Sequence, residues 1–180
     1  MKKLFFLLAL PLCYAACTNN TTTTTTTTVA PADTTAAVTL PYTATYSSTF
    51  VPGKQADVLT VLNSYKDWET GDIAALKATT GDSIEYLFPN GFVFNNTADS
   101  FATFAKKFRD SLSKVQINMF AWTSNHSVDK NEDWVNAWYE ETDTYKTGKV
   151  DSTIFEDDNL LKNGKIVWVS SHEQKFKTKM

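Results

Sequence analysis

The sequence is poor in the residues on which several common chemistries depend. Its two cysteines, Cys13 and Cys17, both fall at the extreme N-terminus, so no disulfide can brace anything that follows. Histidine is almost as scarce. His126 and His172 stand alone, no His-Glu-x-x-His spacing occurs, and a zinc centre needs three or four convergent ligands, so no metal site is expected. Six glycines in 180 residues leave no glycine-rich phosphate loop, and no nucleotide or other cofactor is implied. Basic residues do not dominate either: 17 Lys and Arg against 20 Asp and Glu give a formal net charge of -3, which offers nucleic acid no attractive field. The apolar run from Leu4 to Leu12 is too short to span a bilayer.

That run nevertheless has a reading. Lys2 and Lys3 precede it and Tyr14-Ala15-Ala16-Cys17 follows, the basic, apolar and small-residue order of a secretory signal over residues 1–16. Ala15 and Ala16 before Cys17 resemble the lipobox of bacterial lipoproteins, although Tyr14 stands where that family prefers leucine. The resemblance implies a diacylglycerol on the Cys17 thiol, a membrane partner reached through that anchor, and a place in the bacterial cell envelope, on the periplasmic side or at the outer membrane. The alternative is ordinary cleavage after Ala16 with Cys17 left free. Residues 17–54 then read as a disordered tether: Thr, Ala, Asn and Pro dominate, Thr21 to Thr28 is unbroken, and little there can bury a core. Residues 55–177 have the length of one ordinary domain.

Within the domain, hydrophobic spacing separates two regimes. Val58, Val61, Leu62, Tyr65 and Trp68 recur at helical intervals, Gly71 stops the run, and Asp72 is placed to cap a shorter helix through Ile73 and Leu76. Ser83 to Phe88 predicts a strand, Pro89-Asn90-Gly91 a turn, and Phe92 to Phe94 a short return. A third helix begins near Asp99 with Phe101, Phe104, Ala105, Phe108 and Leu112 on one face. Beyond Leu112 the period changes: Val115 to Asn125, Trp134 to Tyr145, Ser152 to Leu161 and Ile166 to Phe176 are rich in β-branched and aromatic residues. Asn163-Gly164 predicts a type I′ hairpin between the last two. The fold class is α+β: a cone-shaped curved antiparallel sheet covered by three helices.

The helix-ending Tyr65-Lys66-Asp67-Trp68-Glu69-Thr70-Gly71-Asp72-Ile73, the strand Asp82 to Phe88 running into Pro89-Asn90-Gly91, and the final Asn163-Gly164-Lys165-Ile166 hairpin together resemble the nuclear transport factor 2-like superfamily. That superfamily includes ketosteroid isomerases, scytalone dehydratase, limonene epoxide hydrolase and SnoaL-like polyketide cyclases. The resemblance covers the folded domain, and it implies the cystatin-like cone. It also marks departures. The isomerases carry an aspartate base just before the proline that follows the first strand. Here that residue is Phe88, which cannot accept a proton. The isomerases' first-helix tyrosine falls at Ser64, with Tyr65 one position on, and their protonated acid falls near Glu156.

The resulting candidate pocket comprises Tyr65, Trp68, Tyr86, Phe88, Phe104, Phe108, Trp122, Tyr139 and Glu156, with catalytic residues undefined. Glu156 would act as a neutral donor if burial raised its pKa; as part of a solvated edge with Asp157 and Asp158 it would do nothing special. His172 beside Glu173 offers a base, but adjacent strand residues face opposite ways. Glu140, Glu141 and Asp143 are the remaining carboxylate companions for the two histidines. Trp134, Trp138 and Trp168 share one parity and suggest a homodimer face on the outer sheet. The expectation is an exported, lipid-anchored protein whose cone binds a small apolar ligand or a protein partner. The alternatives are a SnoaL-like isomerase, cyclase or dehydratase acting on a small carbonyl compound through Glu156 or His172, and a structural envelope component.

Overall fold

A computed structural model describes residues 39–175. The expected signal peptide, Cys17, the threonine run and the end of the expected last strand at Phe176 lie outside the described residues. The chain order is β1 (Phe50–Pro52), α1 (Gln55–Thr70), α2 (Ile73–Thr79), β2 (Thr80–Leu87), β3 (Val93–Thr97), α3 (Ala98–Arg109), β4 (Leu112–Ser127), β5 (Glu132–Tyr145), β6 (Val150–Lys162) and β7 (Lys165–Lys175).

The two N-terminal helices are joined as their sequence dictates. Gly71 takes a left-handed φ of 78° that closes α1, and Asp72 accepts a hydrogen bond from the backbone N–H of Ala75 at 3.0 Å to start α2. Helix α3 is capped by Thr97, whose hydroxyl accepts from Ser100 N–H at 3.3 Å. Val58 and Val61 on α1, Leu76 on α2, and Phe101 and Ala105 on α3 bury against Ile84, Val135, Leu161, Ile166 and Val169 of the sheet. Val61 and Val135 are wholly inaccessible; removing one such side chain from water stabilises the fold by roughly 1.5–3 kcal/mol. Phe104 and Phe108 share the α3 stripe yet remain 36% and 45% exposed. They face space rather than core.

The strands form one seven-stranded sheet in the order β1-β4-β5-β6-β7-β2-β3. Every pairing is antiparallel except β2 with β7. Register shifts between Met119 and Ala121 on β4 and between Leu160 and Leu161 on β6 bend the long strands. At the β6–β7 hairpin both turn residues have left-handed φ, 52° at Asn163 and 71° at Gly164, as a type I′ turn requires. The sheet is therefore curved and mostly antiparallel, with the helices on its concave side, and the expected fold class is the observed one.

Three local expectations change. The third helix stops at Arg109, so Leu112, expected on its apolar face, instead opens β4. The return strand runs from Val93 to Thr97 rather than from Phe92 to Phe94, because Phe92 is taken up by the turn, its carbonyl accepting from Phe88 N–H at 2.9 Å. The boundary drawn at residue 55 also moves. Residues 46–54, read as tether, join the sheet: Phe50–Pro52 pairs with Asn125–Ser127 of β4, and the Asp129 carboxylate accepts from the backbone N–H groups of Ser48 at 2.6 Å and Thr49 at 3.2 Å. Low hydrophobicity suggested a spacer here, but strand pairing uses backbone groups that every residue but proline supplies in full.

Candidate functional site: the cavity of the cone

The concave face of the sheet and the three helices enclose a cavity of about 590 Å³. Strand pleating decides what enters it. On β5 the inward positions are Tyr139, Glu141, Asp143 and Tyr145; on β6 they are Asp151, Thr153, Phe155, Asp157 and Asn159; on β7 they include Ser171 and Glu173. Helix α1 contributes Ser64, Tyr65 and Trp68, while Tyr86, Phe88 and Phe92 of the β2–β3 hairpin and Phe104 and Phe108 of α3 form an aromatic wall. Phe88 lies 4.3 Å from Tyr86, 5.6 Å from Phe92 and 5.7 Å from Phe104, ring centroid to centroid.

The innermost polar group is Asp157, only 1% exposed. Tyr65 and Tyr139 both donate to its Oδ2, at 3.0 and 2.9 Å, and Ser171 donates to its Oδ1 at 2.6 Å. Asn159 steadies the group by donating to Tyr65 Oη at 3.3 Å and to the Val135 carbonyl at 3.2 Å. Burial pushes the Asp157 carboxyl up to about 6, and the three hydroxyls, which favour its charged form, restrain the rise. Tyr65, Tyr86 and Tyr139 are driven well above the ordinary phenol range, first by burial and then by the charge of Asp157. They act as donors and not as bases.

A second polar station lies on β5. Burial first and the adjacent Asp143 second lift Glu141 to about 8, against the pull of a hydrogen bond from Trp68 Nε1 to its Oε2 at 3.2 Å. Asp143 is itself raised by burial, with a hydrogen bond to Glu141 and then the charge of Arg109 opposing. The Arg109 guanidinium is held behind α1, donating from Nε to the Trp68 carbonyl and from Nη2 to the Glu69 carbonyl, each at 3.1 Å. Asp143 Oδ1 is buried and has no hydrogen-bond partner among the described residues. The cavity thus pairs a hydroxyl-bound carboxyl with a second carboxyl that holds a proton at neutral pH. Such groups can orient a polar ligand atom or exchange a proton with it.

Seven of the nine residues expected in the pocket line the cavity: Tyr65, Trp68, Tyr86, Phe88, Phe104, Phe108 and Tyr139. Trp122 does not. It lies 49% exposed in a separate shallow groove between α1 and β4, with Leu62, Ile117 and Met119. Glu156 also fails, because it stands exposed on the opposite face of β6, in register with Trp138 and His172. The solvated-edge reading therefore holds for Glu156 and is wrong for Asp157, the next residue, which points inward. His172 is outside too, its Nε2 3.3 Å from Ser170 Oγ, whereas Glu173 faces the cavity. This removes both acid–base candidates named for the enzymatic alternative. Ser64 lines the cavity but spends its hydroxyl on the Val61 carbonyl at 2.7 Å, leaving Tyr65 as the donor from α1. His126 pairs with Asp133 at 2.8 Å on a different part of the sheet.

Asp157, Glu141, Asp143, Asn159 and Ser171 were not among the expected site residues. A usable signal existed: the inward phase of β5 is set by Val135, Ala137 and Tyr139, all 5% exposed or less, and continuing it by twos reaches Glu141 and Asp143. Among the described residues no three His, Cys, Asp or Glu side chains are grouped to hold a metal ion. The outer face carries Trp134, Trp138 and Trp168, all half-buried, with Trp134 and Trp168 edge-on at 5.6 Å.

No protein-family model and no curated protein sequence matches the chain. Solved structures do match. A limonene-epoxide-hydrolase-like epoxide hydrolase of Mycobacterium tuberculosis superposes with a TM-score of 0.57 over 67% of this chain and 84% of its own, at 9% identity. A nuclear transport factor 2-like protein of Anabaena variabilis gives 0.57 over 68% and 92%, at 13% identity. AusH of Aspergillus nidulans gives 0.56 over 72% and 90%, at 12% identity. At such identities the likeness concerns architecture, and the architecture is unambiguous: the domain has the nuclear transport factor 2-like fold.

Proposed function

We propose that the domain is a receptor for a small, largely apolar molecule that enters the cone and presents a polar atom to the Asp157 group. The observation that carries this is a carboxyl 1% exposed, with three hydroxyl donors, at the inner end of an aromatic cavity of about 590 Å³. Volumes of this order suit one small organic ligand, and a few convergent polar groups in an apolar lining are what fix its orientation. The protein works at the cell envelope, held through lipidated Cys17 and the threonine-rich tether that follows it, and pairs with a second copy through the tryptophan-bearing outer face.

Native mass spectrometry of the purified protein, with Nile red titration as a second readout, tests the binding step. A retained small molecule or saturable dye uptake is expected. Asp157→Asn should weaken retention at least tenfold while Glu156→Gln, on the outer face, leaves it unchanged. An empty species that takes up no dye refutes the proposal. Replacing Cys17 by Ser should release the protein from membranes; continued membrane association would refute the anchor.

A second reading is favoured by one observation, the proximity of Asp157 to pH neutrality at about 6. A carboxyl poised there can act as a general base or acid. The M. tuberculosis neighbour is an epoxide hydrolase, so an enzyme working through Asp157 on a small electrophile is the alternative. Turnover abolished by Asp157→Asn with dye binding intact would establish it.

A further inference from the structure

The residues that both line the cavity and lie exposed mark its mouth: Asn90 and Phe92 from the β2–β3 turn, Phe104 and Phe108 from α3, Asp151 from β6 and Glu173 from β7. The side built by α3 and the turn is strongly apolar for a surface. Phe92, Phe104 and Phe108 are 48%, 36% and 45% exposed, and Phe92 stands 5.9 Å from Phe104, centroid to centroid. Phe108 follows Phe104 by one helical turn, and Val93 beside Phe92 is half exposed as well. Adjoining apolar side chains left in water mark a contact surface. Basic residues gather at the same end. The last turn of α3 carries Lys106, Lys107 and Arg109, and the turn between β5 and β6 carries Lys146 and Lys149. Lys146 N–H donates to the Ser111 carbonyl at 3.0 Å and fastens that turn to the end of α3. The Asp110 carboxyl senses both segments: its hydrogen bond to Lys106 first, then the charges of Lys106, Lys146 and Arg109, hold it below its ordinary range despite desolvation. Residues 104–111 and 145–151 thus hold five bases against two acids, in a chain whose formal net charge is -3. The two acids are taken up by exposed pairs, Asp110 with Lys106 at 2.8 Å and Asp151 with Lys149 at 3.2 Å, and Arg109 is committed to two backbone carbonyls of α1. Lys107 and Lys146 enter no ion pair among the described residues.

Resting on the receptor reading above, we propose that the phenylalanine side of the mouth docks reversibly on an anionic phospholipid bilayer, so that the cone takes its apolar ligand directly from lipid. Aromatic rings at the headgroup boundary and lysines reaching the phosphates are the two contributions that hold a protein on a membrane surface, and both meet here at one end of the cavity. A protein partner seated on the same rings would close the mouth. A bilayer covers them and also dissolves the apolar molecules that the cone accepts, which water does poorly. The acids Asp151 and Glu173, from the sheet side of the mouth, favour water and set which side meets lipid. With two lysines outside ion pairs and three partly exposed rings the contact is weak and salt-sensitive, so it delivers ligand without replacing a lipid anchor.

The test uses the full chain carrying Cys17→Ser, which lacks the thiol for an anchor, with vesicles of phosphatidylcholine alone or with about one third phosphatidylglycerol. Flotation at low salt should recover more protein with the anionic vesicles than with the neutral ones. Lys107→Glu with Lys146→Glu should weaken binding to the anionic vesicles about tenfold or more, since each lysine near such a surface contributes roughly fivefold. Neither lysine lines the cavity, so the double variant's affinity for Nile red in the absence of vesicles should stay within about twofold, which also shows that it folds. Nile red preloaded into anionic vesicles should pass to the parent at a rate that rises with vesicle concentration, and several times more slowly to the double variant. Equal recovery with both vesicle types, or no effect of the charge reversals, overturns the docking face. Docking with a transfer rate indifferent to vesicle concentration overturns uptake from lipid, and the receptor reading stands. If no dye binds by either route the receptor reading falls, and with it uptake from lipid, while flotation alone decides the docking face.

Discussion

Most proteins lose stability as acid protonates their paired carboxylates; this one should lose stability as base is added. In the folded state Asp157 titrates at about 6, against 3.8 in an unfolded chain. Between those values the native protein holds a proton that the unfolded chain has released. The unfolded state then binds fewer protons, so the free energy of unfolding falls as pH rises. The contribution is fully present below about pH 4 and lost above about pH 6; two pKa units at 1.36 kcal/mol each amount to roughly 3 kcal/mol. Glu141, raised from 4.5 to about 8, extends the decline toward pH 8. The carboxylates of Glu69, Asp129 and Asp133 are held below their ordinary values and act oppositely, but only as pH falls through and below about 4. Urea unfolding followed by tryptophan fluorescence from about pH 4 to 9 measures the curve. Asp157→Asn preserves shape and cannot ionise, so it should cost about 1 kcal/mol at pH 4 and be about 2 kcal/mol more stable than the parent at pH 8. A parent curve flat or rising across this range, or an Asn variant with the parent's slope, would refute the assignment of Asp157 as a buried acid.

Other expectations are narrower. Tyr65→Phe and Tyr139→Phe each remove a donor to Asp157, so each should raise its pKa further and cost about 1 kcal/mol; carboxyl-carbon NMR titration reads the first effect, and an unmoved midpoint argues against the hydrogen bonds. Gly164→Ala forces a Cβ into a left-handed conformation at φ 71° and should lower stability by about 1 kcal/mol in thermal melts. Deleting residues 46–52 should destabilise the domain measurably, since β1 and the Asp129 clamp are part of the sheet; a truncated chain as stable as the parent would restore the boundary at residue 55.

What was legible in the sequence, and what was not, divides along a physical line. The helices were legible because Val58, Val61 and Leu76 face packed core, where apolar spacing and burial are the same fact. The Gly71–Asp72 junction and the Asn163–Gly164 turn were legible because their backbone angles admit few residue types. The aromatic wall followed from the α3 stripe and from Phe88. Asp157 was missed by one residue in favour of Glu156, and in a strand one residue is the difference between the two faces of the sheet. The rule that misled is that polar strand residues point to solvent. It holds where the inward side is filled, as at Val135 and Ala137, both fully buried. Farther along the same face of β5, at Glu141 and Asp143, the inward side is a cavity, and an acid placed there is limited by desolvation and not by steric exclusion. Desolvation can be met by keeping a proton, as Glu141 does at about 8, or by gathering hydroxyl donors, as Asp157 does. Inward-facing acids that interrupt an otherwise apolar alternation therefore mark where a sheet stops enclosing a core and starts enclosing a site, and on β5 the cavity lining begins at Tyr139, with its acids from Glu141 onward.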